Sequence, residues 1–363
     1  MVVDKDVLKY WLALTRTKAA GKAGLLKDVL SRFSEPENLF RETTRALDTL
    51  SPEAASIVRG FDDWLWVDEE IGRIEAAGAI VFTFNDLRYP AALREIDVPP
   101  CLLYAKGAAL DSLNNPAAAL VGTRRPTHYG LRVAETIARG LASMGVTVVS
   151  GMARGCDAAA HKGALQAGGV TVAVFGTGVD VVYPRDNAKL YEDIVAMGVV
   201  LSEFPMSTQP RTYNFPQRNR IISGISKGVV VVEAPFRSGA LMTARLALEA
   251  NREVMAVPGA VTSAQSRGTN GLIKQGAHLV ESASDVMSVL GFPLVKTERQ
   301  SSSLELSIDE AVVWNTLGDE PSHIDTVLDK AKLTPNRAAA ILIEMELKGF
   351  IRQLPGNRIV KLL

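Results

Sequence analysis

Residues 214–226 read NFPQRNRIISGIS, and they hold an unusual mixture at the start of an apolar segment. Phe215, Arg218, Asn219 and Arg220 come first, then Ile221 and Ile222, then the small Ser223 and Gly224. Cations are out of place at a helix start, because the positive end of the helix dipole repels them unless an anion sits nearby. Related residues recur where apolar runs end. VGTRRPTHYG at 121–130 supplies Gly122 for a tight exit, Thr123 for a hydroxyl and Arg124 for charge. SGMARGCDAAAH at 150–161 supplies Ser150, Gly151 and Gly155 with backbone N–H groups free to face a ligand. In the same stretch Arg154 adds a cation and Asp157 could cap or charge the helix that follows. Ser238 and Gly239 open RSGALMTARLALEANREVMAVPG at 237–259, and SRGTNGLIKQGA at 266–277 repeats the theme.

Groups that hold anions are abundant, and groups that do chemistry are not. Cys156, Asp157 and His161 lie close enough for a thiol-based trio, yet a small apolar Cys, a capping Asp and a helix-face His describe them better. FGTGVDVVYPRDN at 175–187 has the glycine pair of a phosphate loop without the Lys-Ser/Thr of a Walker loop, so ATP hydrolysis is not expected. No dinucleotide fingerprint, metal-ligand spacing or carboxylate pair stands out, so no catalytic residue, metal or cofactor is expected. Phe215 beside Arg218 and Arg220 offers the stacking surface and cations that single-stranded nucleic acid needs. Two residues apart on a helix, the two arginines project roughly 200° from each other and cannot both enter one groove. One is therefore expected on phosphate and the other on a protein group or a second phosphate along the strand; we take Arg218 with Arg124 as the phosphate contacts, Phe215 as the stacking platform and Arg220 as partly structural.

The elements that must position these residues follow from patterning. Residues 1–78 read as a helical domain, with apolar residues at three- and four-residue spacing in DVLKYWLALTRT, KAGLLKDVLSRF, PENLFRETTRAL and PEAASIVRGF. Over 79–291 apolar β-branched runs (AIVFTF, AALVGT, VTVVSG, VTVAVFG, VVLSEF, GVVVVEA, EVMAVPG, HLVES) alternate with amphipathic segments. That alternation implies a doubly wound, mostly parallel α/β sheet covered on both faces, with ligands at the carboxyl ends of its strands. Residues 292–307 are polar and serine-rich, a linker, and 308–363 read helix, helix, helix, then two short strands around Pro355, Gly356 and Asn357, the order of a winged helix.

Composition narrows little. The 363 residues carry 40 Lys plus Arg and 40 Asp plus Glu, so a polyanion would be held by a local patch. Cys101 and Cys156 are too few for a disulfide framework. The first twenty residues carry acidic groups and no long apolar core, and no run approaches the ~20 apolar residues of a membrane span, so a cytoplasmic protein without membrane contact is expected. Over 304–363 seven Lys plus Arg stand against nine Asp plus Glu, and such a module is expected to touch protein or another subunit rather than duplex DNA.

In their order and spacing, ALVGTRRPTHYG, SGMARGCDAAAH, GTGVDVVYPRDNAKL, LSEFP, NFPQRNRIISGIS, SGALMTARLALEANREVMAVPG and GTNGLIKQGA resemble the DNA-processing protein A (DprA, Smf) family, closely over 80–291. The resemblance implies an extended Rossmann-like domain behind a small all-helical, SAM-like domain and ahead of a winged helix. It implies a protein that binds incoming single-stranded DNA, protects it and loads the RecA recombinase onto it during natural transformation, and that is not an enzyme. It carries DNA contact onto Arg124, onto Ser150, Gly151 and Arg154, and onto Phe215, Arg218, Asn219 and Arg220, and it implies a homodimer through the Rossmann-like domain. Gly122, Thr123, Asp157, Ser223, Ser238 and Gly239 complete the expected DNA-binding set. Two departures stand out: Cys156 replaces a usual aliphatic residue, and KAAGKAG at 18–24 stands where many relatives have a PGIG-like hairpin. The alternative from another class is a nucleotide-processing enzyme of phosphoribohydrolase type, with Asp157 or Glu233 as its carboxylate.

Overall fold

The computed structural model describes residues 4–17, 29, 32, 33, 35–41, 55, 58–293, 306–318, 321–331 and 334–361. The KAAGKAG segment, most of the KAGLLKDVLSRF helix, half of each of the PENLFRETTRAL and PEAASIVRGF helices and most of the 292–307 linker lie outside these residues. The chain divides into two compact units, Met1–Pro126 with Val133–Leu294, and Thr127–Arg132 with Val295–Leu363.

The larger unit is organised by one sheet. Its strands in chain order are β1 (Ile80–Thr83), β2 (Leu102–Lys106), β3 (Ala117–Val121), β4 (Thr147–Ser150), β5 (Thr171–Phe175), β6 (Val199–Ser202), β7 (Gly228–Val231), β8 (Glu253–Ala256) and β9 (His278–Leu279). They lie in the spatial order β1-β2-β6-β5-β4-β3-β7-β8-β9. Neighbours from β6 to β9 run parallel, while β2 joins β6 and β1 joins β2 antiparallel. The expected doubly wound, mostly parallel sheet is thus present. β2 was not anticipated, because LLYAK is short and follows Pro99, Pro100 and Cys101, where strand patterning is weak.

Successive strand residues enter two different cores, as a pleated strand buried on both faces requires. Val81, Leu102 and Ala173 join Trp11, Leu12 and Leu14 of the helix Lys5–Arg16 on one face. Phe82, Leu103 and Val172 join Ile221, Ile222 and Ala244 on the other. Trp64–Ala76 is a further helix on the first face, and its fully buried Glu70 accepts from the Met206 backbone N–H at 2.7 Å.

The order reverses between β3 and β7. From β6 the chain crosses back over three strands to reach β7, and the helix Asn214–Ile225 makes that crossing. This is the switch point of a doubly wound sheet, where strand ends splay their loops apart and leave a crevice. Neighbouring exits are tied by backbone bonds, Thr123 N–H to Glu233 O at 2.7 Å and Ala234 N–H to Gln265 O at 2.8 Å.

The smaller unit has its own core of Val313, Leu317, Val327, Leu342, Met345, Ile351 and Ile359. Its helices Ile308–Thr316, Ile324–Ala331 and Pro335–Leu347 precede a hairpin of β11 (Ile351–Leu354) and β12 (Arg358–Lys361), with β10 (Ser322–His323) on the far side of β12. The hairpin turns through Gly356 (φ 81°) and Asn357 (φ 58°), residue types that tolerate the left-handed region. This is the winged-helix arrangement.

Packing makes an opposed pair of glycines diagnostic. A Cβ on Gly163, inside the helix Cys156–Gln166, would stand 2.2 Å from the Glu135 carbonyl oxygen, whereas exposed Gly72 meets nothing within 4 Å. Gly163→Ala should lower unfolding stability by about 1–3 kcal/mol and Gly72→Ala should raise it by about 0.5–1 kcal/mol in urea titrations.

Candidate nucleic-acid interface

The site begins with the loop after β4. Met152 sits at φ 59°, a left-handed conformation that is costly for a residue with a side chain. The buried Asp157 carboxylate holds the loop there by accepting from the Gly151 and Ala153 N–H groups at 3.2 and 3.4 Å, while Asn187 Nδ2 donates to the Met152 carbonyl at 2.9 Å. Asp157 therefore closes its own preceding loop rather than capping the helix. Burial raises its pKa, against the opposing pull of Arg218 and the N–H donors. Gly155 follows at φ 82°, and a Cβ there would stand 2.5 Å from the Thr123 carbonyl oxygen, so only glycine lets the two exits approach.

The crossover helix brings Phe215 and Arg218 to these exits. Asn214 Nδ2 donates to the Gly176 carbonyl at 2.9 Å, just past β5. Arg218 donates from Nη1 to the Gly151 carbonyl at 2.7 Å and to the Val174 carbonyl, and from Nε to Asn219 Oδ1 at 3.2 Å. One guanidinium thus joins the ends of β4 and β5 to the helix. It is 5% exposed, and among the described residues it forms no ion pair. Burial lowers its pKa to about 10, with Asp157 opposing the shift and Arg124 adding to it. The group stays charged at neutral pH.

Phe215 lies in a ring of aromatic and cationic groups. Its ring centre is 5.5 Å from that of Tyr183 at an interplanar angle of 33°. The guanidinium carbons of Arg124 and Arg218 lie 5.5 and 6.0 Å from it. A Cβ on Gly176 would meet the ring at 2.8 Å, so this glycine of the expected phosphate loop makes room for an aromatic instead.

Around this cluster opens a cleft of about 630 Å³. Gly122, Thr123, Arg124, Asp157, Phe215, Arg218, Asn219, Ser238 and Gly239 line it, so nine expected residues converge from β3, β4, β7 and the crossover helix. Gly151 and Arg154 line a smaller adjoining recess with Tyr183 and Phe215. Three expectations need correction. Ser150 is fully buried and donates to the Leu120 carbonyl at 2.6 Å, Ser223 bonds back to carbonyls of its own helix, and Arg220 is held by Glu203 and the Val98 carbonyl. None of the three lines the cleft. Arg218 also changes character, from a free phosphate-binding side chain to a fixed cation in the cleft floor. Exposed Arg154 is paired with Asp186 at 2.6 Å. Patterning missed Arg125, Arg237 and Gln265 in the lining and the ring contact of Tyr183; Arg125 and Arg237 stand beside expected residues, and that adjacency was the available signal.

The lining is one-sided in charge. Arg124, Arg125 and Arg237 are exposed around the buried Arg218, and the one carboxylate, Asp157, is engaged with backbone donors. Glu233 is buried and does not line the cleft. The Cys156 thiol is buried and pushed up to about 12, and burial drives His161 down to about 3. Thr171 donates its hydroxyl to the Val148 carbonyl, so its oxygen accepts from His161 Nδ1–H, which leaves Nε2 buried without a partner. A proton there would have no acceptor. No cluster of His, Cys, Asp or Glu able to hold a metal occurs among the described residues. No helix among them is long and apolar enough to cross a membrane.

Comparison with known proteins points the same way. Residues 80–291 match the family described as DNA recombination-mediator protein A, and 297–357 match the DprA winged helix domain. The chain is 33% identical to Protein Smf of Synechocystis over 96% of this chain and 97% of that one. It is 41% identical to Protein Smf of Escherichia coli over 74% of each. The X-ray structure of DNA processing protein A from Streptococcus pneumoniae superposes with a TM-score of 0.66 at 36% identity, covering 79% of this chain and 98% of that one. A Helicobacter pylori counterpart, whose single-stranded DNA binding mode was the subject of its structure, gives 0.53 at 32% identity over 58% and 95%.

Two stability tests follow from this geometry. Arg218→Ala orphans the buried Gly151 and Val174 carbonyls and should lower stability by about 2–4 kcal/mol, whereas Arg124→Ala should leave the melting temperature within a degree or so. For His161 the folded pKa lies below the unfolded value of about 6.5, so its contribution is present above pH 6.5 and is lost as pH falls toward 3. Urea unfolding should lose about 2 kcal/mol from this group between pH 7.5 and pH 5, and His161→Gln should lack that component. Asp157, with its raised pKa, changes in the opposite sense in acid and is common to both proteins.

Proposed function

This chain belongs to the DNA recombination-mediator protein A family, and on that premise we propose that its cleft binds the sugar-phosphate backbone and bases of single-stranded DNA for delivery to the RecA recombinase. Its role lies in DNA processing, as a recombination mediator. The observation that carries the reading is the buried Arg218, charged at neutral pH and without an ion-pair partner among the described residues, in the floor of a cleft rimmed by Arg124, Arg125 and Arg237. A buried cation is costly until an anion lies beside it. Phosphate oxygens at Arg124 complete it, with the charge-assisted geometry that guanidinium groups give.

Phe215 and Tyr183 supply the second half of recognition. Stacking needs unpaired bases with open faces, so a cleft that combines rings with cations selects single strands over duplex. Arg154 joins once phosphate competes with Asp186. Among the described residues no free carboxylate, thiol or imidazole faces the cleft, and the proposed activity is binding rather than catalysis. The division into a helical region at 1–78, a DNA-binding domain at 79–291, a linker and a winged helix from 308, homodimerisation through the sheet unit, and action in the cytoplasm on DNA taken up by the cell belong to the same proposal.

Fluorescence anisotropy with a labelled oligothymidylate tests it. Binding should be much tighter for the single strand than for a duplex of equal length and should weaken as salt rises. Arg124→Ala should lower affinity and reduce the salt slope by about 0.7, one phosphate's worth for a single strand. Phe215→Ala should cost about 1–3 kcal/mol with the salt slope retained, because stacking releases no counterions. Equal affinity for both forms, or unchanged binding by folded Arg124→Ala, would overturn the proposal.

A further inference from the structure

The loop that leaves β7 and the helix that follows it carry three residues that the cleft floor does not need. Phe236 is 75% exposed, the neighbouring Arg237 is exposed and lines the cleft, and Met242, one turn into the helix Gly239–Glu249, is 47% exposed and lines it too. A lone exposed aromatic needs no explanation. This one stands next to a cation that, among the described residues, has no ion-pair partner, and Ser238 fixes the following helix start by accepting from the Ala240 N–H at 3.3 Å. The segment that leads into the crossover helix repeats the pairing. Tyr213 is 55% exposed and accepts from Arg211 at 2.7 Å, next to Thr212 in the lining.

We propose that the Phe236–Arg237 rim is a second base-stacking and phosphate subsite, which takes a nucleotide beyond the one held at Phe215 and Arg124 and so sets the path of the strand across the switch point. The inference rests on the single-strand reading above. A mononucleotide would be satisfied inside the cleft and would have no use for exposed rings beside its lining. A chain of nucleotides uses them, because each successive base has a face to stack and each link a phosphate to neutralise. Phe236 at its exposure contributes no core packing, so its side chain is free to serve a ligand. The adjoining Arg237 places charge where the backbone leaves the cleft.

The test compares a thymidine dinucleotide with an oligothymidylate of about 20 residues, longer than one binding site of this kind. Phe236→Ala should weaken binding of the long strand by about 5- to 100-fold with its salt slope unchanged, and leave the dinucleotide unaffected. Arg237→Ala should reduce the long strand's salt slope by about 0.7. Phe236→Trp should retain affinity, and its added emission should be quenched by the long strand but not by an abasic one of equal length. Melting temperatures should match the parent throughout. Unchanged long-strand affinity in Phe236→Ala, or equal losses for both ligands, would overturn the second subsite. In the first case Arg124→Ala tells the two readings apart: if it still weakens binding the cleft assignment stands alone, and if it does not the cleft assignment falls as well.

Discussion

The Arg218 guanidinium donates to the carbonyl oxygens of Gly151 and Val174, and through those two bonds one side chain ties the crossover helix to the ends of β4 and β5. The arrangement is electrostatically incomplete. Carbonyl dipoles and the field of Asp157 compensate the charge only in part, which is why burial pulls the pKa down to about 10. Folding thus leaves a cation in a half-satisfied state at the switch point of the sheet. The rest of the site is organised around that charge: the loop after β4 is pinned by Asp157, and Phe215 is seated against Gly176.

The topology explains why these groups meet although they lie far apart in the chain. Parallel strands aim their carboxyl ends in one direction, and the reversal of order between β3 and β7 opens the loops there. Short apolar strands, buried on both faces, give a rigid base for residues on loops. Arg218, held by two carbonyls and Asn219, therefore needs no ordering on binding, which under the proposed function would lower the entropic cost of capturing a flexible strand. Under the proposed function, the exposed arginines would steer the polyanion in, and the buried one would hold charge that salt screens poorly.

Much of this was legible from residue patterns. Continuous β-branched runs ending in Gly, Ser, Thr and Arg located the sheet and the loops that carry the site, and the winged helix was readable from three helices followed by two strands around Pro355–Asn357. Helical geometry also separated Arg218 from Arg220, which leave the helix toward different partners. What patterns could not give was burial. Ser150 and Ser223 have the right chemistry at the right exits, yet the pleat and the helix turn direct both hydroxyls into backbone carbonyls. A ligand-facing arginine and a carbonyl-stapling one read alike in sequence. Tyr183, Arg237 and Gln265 reach the site from the segments after β5, β7 and β8, parallel strands that all end on one edge of the sheet, which one-dimensional spacing does not reveal.

The central claim, that the cleft leaves Arg218 short of an anion that DNA phosphate supplies, is tested most directly by following the guanidinium carbon of Arg218 by NMR as pH is raised. The claim predicts titration near pH 10 in the free protein, and a midpoint moved well upward once a single-stranded oligonucleotide saturates the cleft, because a nearby anion stabilises the charged form. A midpoint that stays in place on saturation would contradict it.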